Sequence, residues 1–234
     1  MSTSTRTICE VLCLIAFVIA AVIFSVTGCG HGGGSTKPYN PPPPPPTANN
    51  VFADYFGTET VDLSTWVVHG GGVSVSGGKL RVESHEPWES GVEGVEHFFR
   101  PRENDYLTVS GVVFFPADSL RSTSIVHVQD HWRPDDPDCF YLKFVRNDHS
   151  YGDNRVYFGA KEDGHLVDSV SLGSFANGAS LDWTITVRPS RCEAEVGSRS
   201  FTTSADVQDL GLSLHGSGSA TYWNSVTVTL WDVH

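Results

Sequence analysis

The sequence predicts an all-β domain, and three features carry that reading. Beyond Val51 no segment holds a helical period of apolar residues. Short runs rich in β-branched and aromatic residues recur instead, separated by turn residues. The pairs Gly77-Gly78, Asp163-Gly164 and Asn177-Gly178 supply the positive-φ positions that tight turns between strands require.

Taken in order, WVVH at 66–69 and KLRVES at 79–84 open the series, followed by 92–99 and YLTVSGVVFF at 106–115. IVHVQ at 125–129, FYLKFVR at 140–146 and RVYFGAK at 155–161 come next, then 166–172 and LDWTITVR at 181–188. CEAEV at 192–196, RSFTT at 199–203, LGLSLH at 210–215 and YWNSVTVTLW at 222–231 complete it. About a dozen strands in one helix-free domain make a two-sheet antiparallel sandwich or a jelly roll.

The first fifty residues differ from the rest. LCLIAFVIAAVIFSV, Leu12 to Val26, is an apolar run behind a weakly basic start, the layout of a secretory signal. Val26-Thr27-Gly28-Cys29 resembles the lipobox of bacterial lipoproteins, with Val in place of the usual Leu three residues before the cysteine. That resemblance implies cleavage after residue 28 and lipid on the Cys29 thiol. It places the protein in the cell envelope, at a bacterial outer membrane or cell surface. The alternative is a retained transmembrane anchor, since Ile8 to Gly28 reaches the roughly 20 residues a spanning helix needs. Residues 29–50 then form a tether, flexible where glycine and serine dominate and extended over Pro41 to Pro46. The folded domain is expected over 51–234.

The whole chain carries a net charge of −12, and residues 1–50 hold only Arg6, Glu10 and Lys37 as charged groups, so the domain is near −13. A surface that acidic repels phosphate backbones, which argues against nucleic acid. Neutral glycans, cations or basic proteins are left as partners.

VFADYFGTETVDLSTWVVHGGGVSVSGGKLRVES resembles the opening of the concanavalin A-like lectin/glucanase jelly rolls. SLDWTITVRPSRCEAEVGSRSFT resembles their paired late strands, and SATYWNSVTVTL their closing strand. The superfamily includes lectins, laminin-G-like modules, family-16 glycoside hydrolases and lyases, so the resemblance specifies a fold far better than a function. It implies a two-sheet antiparallel jelly roll whose ligand is carbohydrate. It also implies a structural calcium where the first and last strands meet, at Asp54, Gly78 and Asn224. Asn224 stands where an aspartate is usual, which lowers the expected affinity for a hard cation. No other cofactor is required.

The hydrolases of this superfamily carry catalytic carboxylates on one strand, and a retaining pair needs its carboxyls about 5 Å apart. The nearest match is Glu89, Glu93 and Glu96 in ESGVEGVEHFF. Glu93 and Glu96 fall on opposite faces of a regular strand, while Glu89 and Glu93 share a face about 13 Å apart. Glu93 and Glu96 are therefore poor catalytic candidates, and no Gly-x-Ser-x-Gly elbow replaces them.

HVQDHWRPDDPDCF, residues 127–140, is the densest polar stretch. His127, Gln129 and His131 alternate, so on a strand they face one side, and the two histidines stand too far apart to share zinc. Trp132 follows on an acidic loop interrupted by Pro134 and Pro137. Trp66, Trp183 and Trp231 lie in apolar strands and read as core, and Trp223 is ambiguous. Trp88 and Trp132 lie among polar residues and are the sugar-stacking candidates. Cys139 and Cys192, the two domain cysteines, are expected as a disulfide in an oxidising compartment.

The composite expectation is an exported, membrane-anchored, lectin-like sandwich. It binds carbohydrate or a cell-envelope protein through Trp132, Trp88, His127, Gln129 and His131. The rivals are a hydrolase or lyase with an atypical carboxylate pair, and an adhesion module without a small ligand.

Overall fold

The computed structural model describes residues 45–84, 90–95, 98–101, 104–118, 120–130, 138–147, 152–205, 207 and 209–233. Cys29 with the tether up to residue 44, Trp88, Glu89, Glu96, and His131 with Trp132 lie outside these residues.

The described residues form fifteen strands and no helix. The first six are β1 (Thr47–Asp54), β2 (Trp66–His69), β3 (Val73–Val75), β4 (Leu80–Ser84), β5 (Ser90–Gly94) and β6 (Phe98–Phe99). The long central strands are β7 (Tyr106–Phe114), β8 (Ser122–Asp130), β9 (Cys139–Arg146), β10 (Arg155–Glu162) and β11 (His165–Ser174). The chain closes with β12 (Ser180–Arg188), β13 (Arg191–Val196), β14 (Arg199–Thr203) and β15 (Asp209–Asp232). Every pairing is antiparallel, in the order β11-β10-β9-β8-β15-β7-β12-β13-β14.

β15 is the spine. Its first half pairs with β8 on one side and with β6 and β5 on the other. Its second half pairs with β7 on one side and with β4 and then β1 on the other. The sequence reads as two strands here because GSGSA breaks the apolar pattern. Those small residues let one continuous strand bend between the layers of the sandwich, with Gly218 at a φ of 81°. β1 begins at Thr47, inside the stretch that reads as tether, and β3 has no counterpart among the predicted strands.

Strand alternation builds the core. In β9, Phe140, Leu142 and Phe144 point inward, opposite Val128, Val126 and Ser124 of β8 and opposite Ala160, Phe158 and Val156 of β10. β12 offers Trp183, Ile185 and Val187 from the facing layer. Trp66, Trp183 and Trp223 are fully enclosed. Trp231 is not core: it is half-buried on an outer face, stacked on Tyr106 at 5.6 Å, with its indole N–H donating to Thr108. Leu230 and Trp231 alternate in orientation, and apolar context alone does not reveal which of two neighbours points inward.

The Cys139–Cys192 disulfide does not form, and both residues are buried free cysteines. Cys192 of β13 points into the core, whereas Cys139 of β9 is flanked by the inward Phe140 and so faces the other way. The two strands belong to opposite layers, about 10 Å apart, beyond the reach of an S–S bridge.

Candidate functional site

The layer built from β2, β5, the first half of β15, β8, β9, β10 and β11 has a face turned away from the core. Strand register fixes its occupants. One row runs Val67, Glu93, Ser213, His127, Tyr141, Gly159 and Ser169. The adjacent row runs His69, Gly91, His215, Ile125, Lys143 and Tyr157, and the row on the other side holds Gly211, Gln129, Cys139 and Lys161.

Four rings make a ladder across this face. His69 stacks on His215 at 6.4 Å and 18°, His215 meets His127 at 5.6 Å, and His127 meets the Tyr141 ring edge-on at 6.5 Å. Glycines open both ends. A Cβ on Gly91 would stand 2.9 Å from His215 Nδ1, and a Cβ on Gly159 would collide with the Tyr141 hydroxyl. The His215 and Tyr141 rings therefore lean over bare backbone, which any side chain there would prevent. From β2 to β9 the ladder crosses four inter-strand steps, about 19 Å.

Beside it, Glu93 accepts hydrogen bonds from His69 Nε2 at 3.1 Å and from Gln129 Nε2 at 3.4 Å, one on each carboxylate oxygen. Ser213 lies between Glu93 and His127 with no exposed surface, and its hydroxyl has no hydrogen-bond partner. An unmet buried hydroxyl costs about 1–3 kcal/mol, so it marks a place where a partner is wanted. His127 is partly accessible but hemmed in by protein. Burial, then the charges of His215, Lys161 and Lys143, push its pKa down to about 3, so the ring is neutral at physiological pH.

Of the residues singled out from sequence, the structure brings Glu93, His127 and Gln129 together on this face. His69, Ser213, His215, Tyr141, Lys143 and Lys161 escaped sequence reasoning. Their signal was the polar member of each alternating pair, as in FYLKF and LGLSLH, but alternation does not say which strands become neighbours.

At the other end of β15, Asp54 stands opposite Val226, two residues from Asn224, and Gly78 lies two residues from Leu80, which pairs with Trp223. Asp54 already accepts from Phe56 N–H and from the Trp66 indole at 2.6 Å each, while Asn224 Oδ1 is buried without a partner. One engaged carboxylate and one neutral amide oxygen form a poor donor set for calcium. Among the described residues no group of three or more His, Cys, Asp or Glu side chains is placed to hold a metal.

No protein-family model and no curated protein sequence matches the chain. Solved structures do match. The Bacillus licheniformis β-glucanase aligns at a TM-score of 0.57 and 14% identity, over 76% of this chain and 96% of that one. The endo-1,3-β-glucanase of Streptomyces sioyaensis aligns at 0.59 and 12%, over 82% and 99%. The fold is a concanavalin A-like jelly roll. The Emp46p carbohydrate recognition domain shares this jelly roll at 0.57 and 11% identity, over 75% and 95%. At such identities the likeness is one of architecture, and the site must be argued from its own residues.

Proposed function

We propose that the ladder face binds a carbohydrate chain and that the protein is an exported, membrane-anchored glycan-binding module. The observation that carries this reading is the four-ring ladder bracketed by Gly91 and Gly159. Flat rings next to fixed donors and acceptors suit a sugar, which offers both C–H faces and hydroxyls. The recognition domain and glucanases that share the fold support the same class of ligand. Lipid on Cys29 and the proline tether would carry the domain at the cell surface, where glycans or a cell-envelope protein are within reach.

A catalytic reading rests on Glu93. It is the carboxylate that the described strands place on the ladder face, held by His69 and Gln129 as an oriented group would be. Glycan arrays and product-release assays on the full chain separate the two readings. Saturable binding without product release supports the binding module. Release of sugar ends that is lost in Glu93→Gln supports the enzyme. Silence in both assays, with a cell-envelope protein retained in pull-downs, supports an adhesion module instead.

A further inference from the structure

On the core side of β10 and β11, away from the ladder, a cavity of about 280 Å³ opens at the edge of the sandwich. β11 and β14 end the strand order on its two sides and do not pair with each other, so no ladder closes this edge among the described strands. Val156 and Leu172 line the cavity from one layer, Leu181 and Val196 from the other. The exposed Ser174, Ser198 and Arg199 border it as well. A β-bulge shapes this edge: Val156 pairs with Gly173 and Tyr157 with Ser171, which leaves Leu172 as the extra residue. Gly173 takes a φ of 102°, and a Cβ there would collide with the Arg199 guanidinium. Over that bare backbone Arg199 Nη1 donates to the Leu172 carbonyl at 2.8 Å and to the Ser174 carbonyl at 3.4 Å. These bonds hold the side chain across the gap between the layers. Its Nε and Nη2 donate to none of the described residues, and no described carboxylate pairs with it.

We propose that this cavity binds a medium-chain acyl carboxylate, with its chain between the aliphatic walls and its head group on Arg199. The site is separate from the ladder face, so it goes beyond the glycan reading and does not rest on it. Nε and Nη2 form one edge of the guanidinium, two parallel donors that match the two oxygens of a carboxylate. At roughly 30 Å³ per water the cavity holds about nine waters, room for about ten non-hydrogen atoms, the size of octanoate. A sugar would set its hydroxyls against Val156, Leu172, Leu181 and Val196, which cannot answer them. A neutral hydrocarbon would leave the guanidinium edge unused.

The test is calorimetric titration of the full chain with octanoate, octanol, hexanoate and dodecanoate, at about 0.15 M salt to screen the net negative charge. Octanoate is expected to bind saturably and more tightly than octanol. Affinity should rise about two- to fourfold per methylene from hexanoate to octanoate and then level off at dodecanoate, because the cavity is full. Arg199→Gln should weaken octanoate about three- to tenfold. Ser198→Glu, a change in the exposed β13–β14 turn, should weaken it as much by pairing with Arg199, and it decides the matter if Arg199→Gln does not fold. Arg191→Gln, at the far end of β13, should leave binding unchanged. Equal binding of octanol overturns the carboxylate pairing. A continued rise to dodecanoate overturns the enclosed cavity. Binding unmoved by both Arg199→Gln and Ser198→Glu, or weakened equally by Arg191→Gln, overturns the site, as does the absence of saturable octanoate binding; none of these results touches the glycan reading.

Discussion

His127 and His215 face each other across the β8–β15 pair with ring centroids 5.6 Å apart. The groups around His127 are Ser213 and His215 of β15, Tyr141 and Lys143 of β9, Lys161 of β10, and Glu93 and Gln129 on its other flank. Burial comes first and these cations second in holding His127 at about 3. The unfolded chain takes that proton near pH 6.5, so the native state loses stability as pH falls from about 6.5 towards 3. Replacing His127 by Gln removes the linkage. Thermal melts should therefore show the variant's Tm declining less steeply than the parent's between about pH 6.5 and 4. Parallel declines would contradict the assignment.

Arg146 is fully enclosed, yet its guanidinium reaches Ser122 at 2.7 Å, Asp118 at 2.9 Å and the Pro116 carbonyl at 3.2 Å, and it also donates to Ser219. It ties β9 to the β7–β8 loop and to the bend of β15. Arg146→Met leaves those acceptors without a donor and should cost about 3 kcal/mol in urea unfolding. A loss below about 1 kcal/mol would mean that solvent replaces the guanidinium.

Cys139 and Cys192 face different sides of different layers, and burial raises the Cys192 thiol well above its ordinary range. Alkylation in denaturant without reductant, followed by peptide mapping, should label both residues. In the folded protein Cys192 should stay unlabelled. Recovery of a linked Cys139–Cys192 peptide would contradict this arrangement.

Asn224 Oδ1 is buried and unpartnered, two residues from Val226, the register partner of Asp54. Asn224→Asp places a second carboxylate there. With chelator present the variant should melt below the parent, because the new charge is buried alone. Millimolar calcium should restore it, as for weak extracellular calcium sites. A parent and a variant that both ignore calcium would remove the metal from the account.

The strands were legible because each is short, alternating and punctuated by turns. The type of the β10–β11 turn was legible too, as Asp163 and Gly164 take φ of 48° and 74°. His127 and Gln129 on one face followed from their spacing alone. His69, His215 and Tyr141 did not, because their adjacency depends on which strands pair, and β15, which brings His215 between His69 and His127, lies far along the chain from β5 and β8. Trp88 and Trp132 lie outside the described residues. Sequence shows which rings are flanked by polar residues, while the ladder is made by rings whose neighbours in the chain are apolar. The disulfide failed because two cysteines near strand ends give no information about which layer, or which side of it, each strand occupies.

The central claim is that the ring ladder is the binding surface, and it depends on Tyr141 lying over Gly159. Glycan titration of the full chain should therefore be compared with Gly159→Ala and Tyr141→Ala, with Trp231→Ala as a control on another face. Gly159→Ala should cost about 1–3 kcal/mol of stability while the domain stays folded. Both ladder variants are expected to weaken binding at least about tenfold, and the Trp231 variant to bind as the parent does. Unchanged affinity in the two ladder variants, with loss on Trp231→Ala, would contradict the account and move the site to the Tyr106–Trp231 stack.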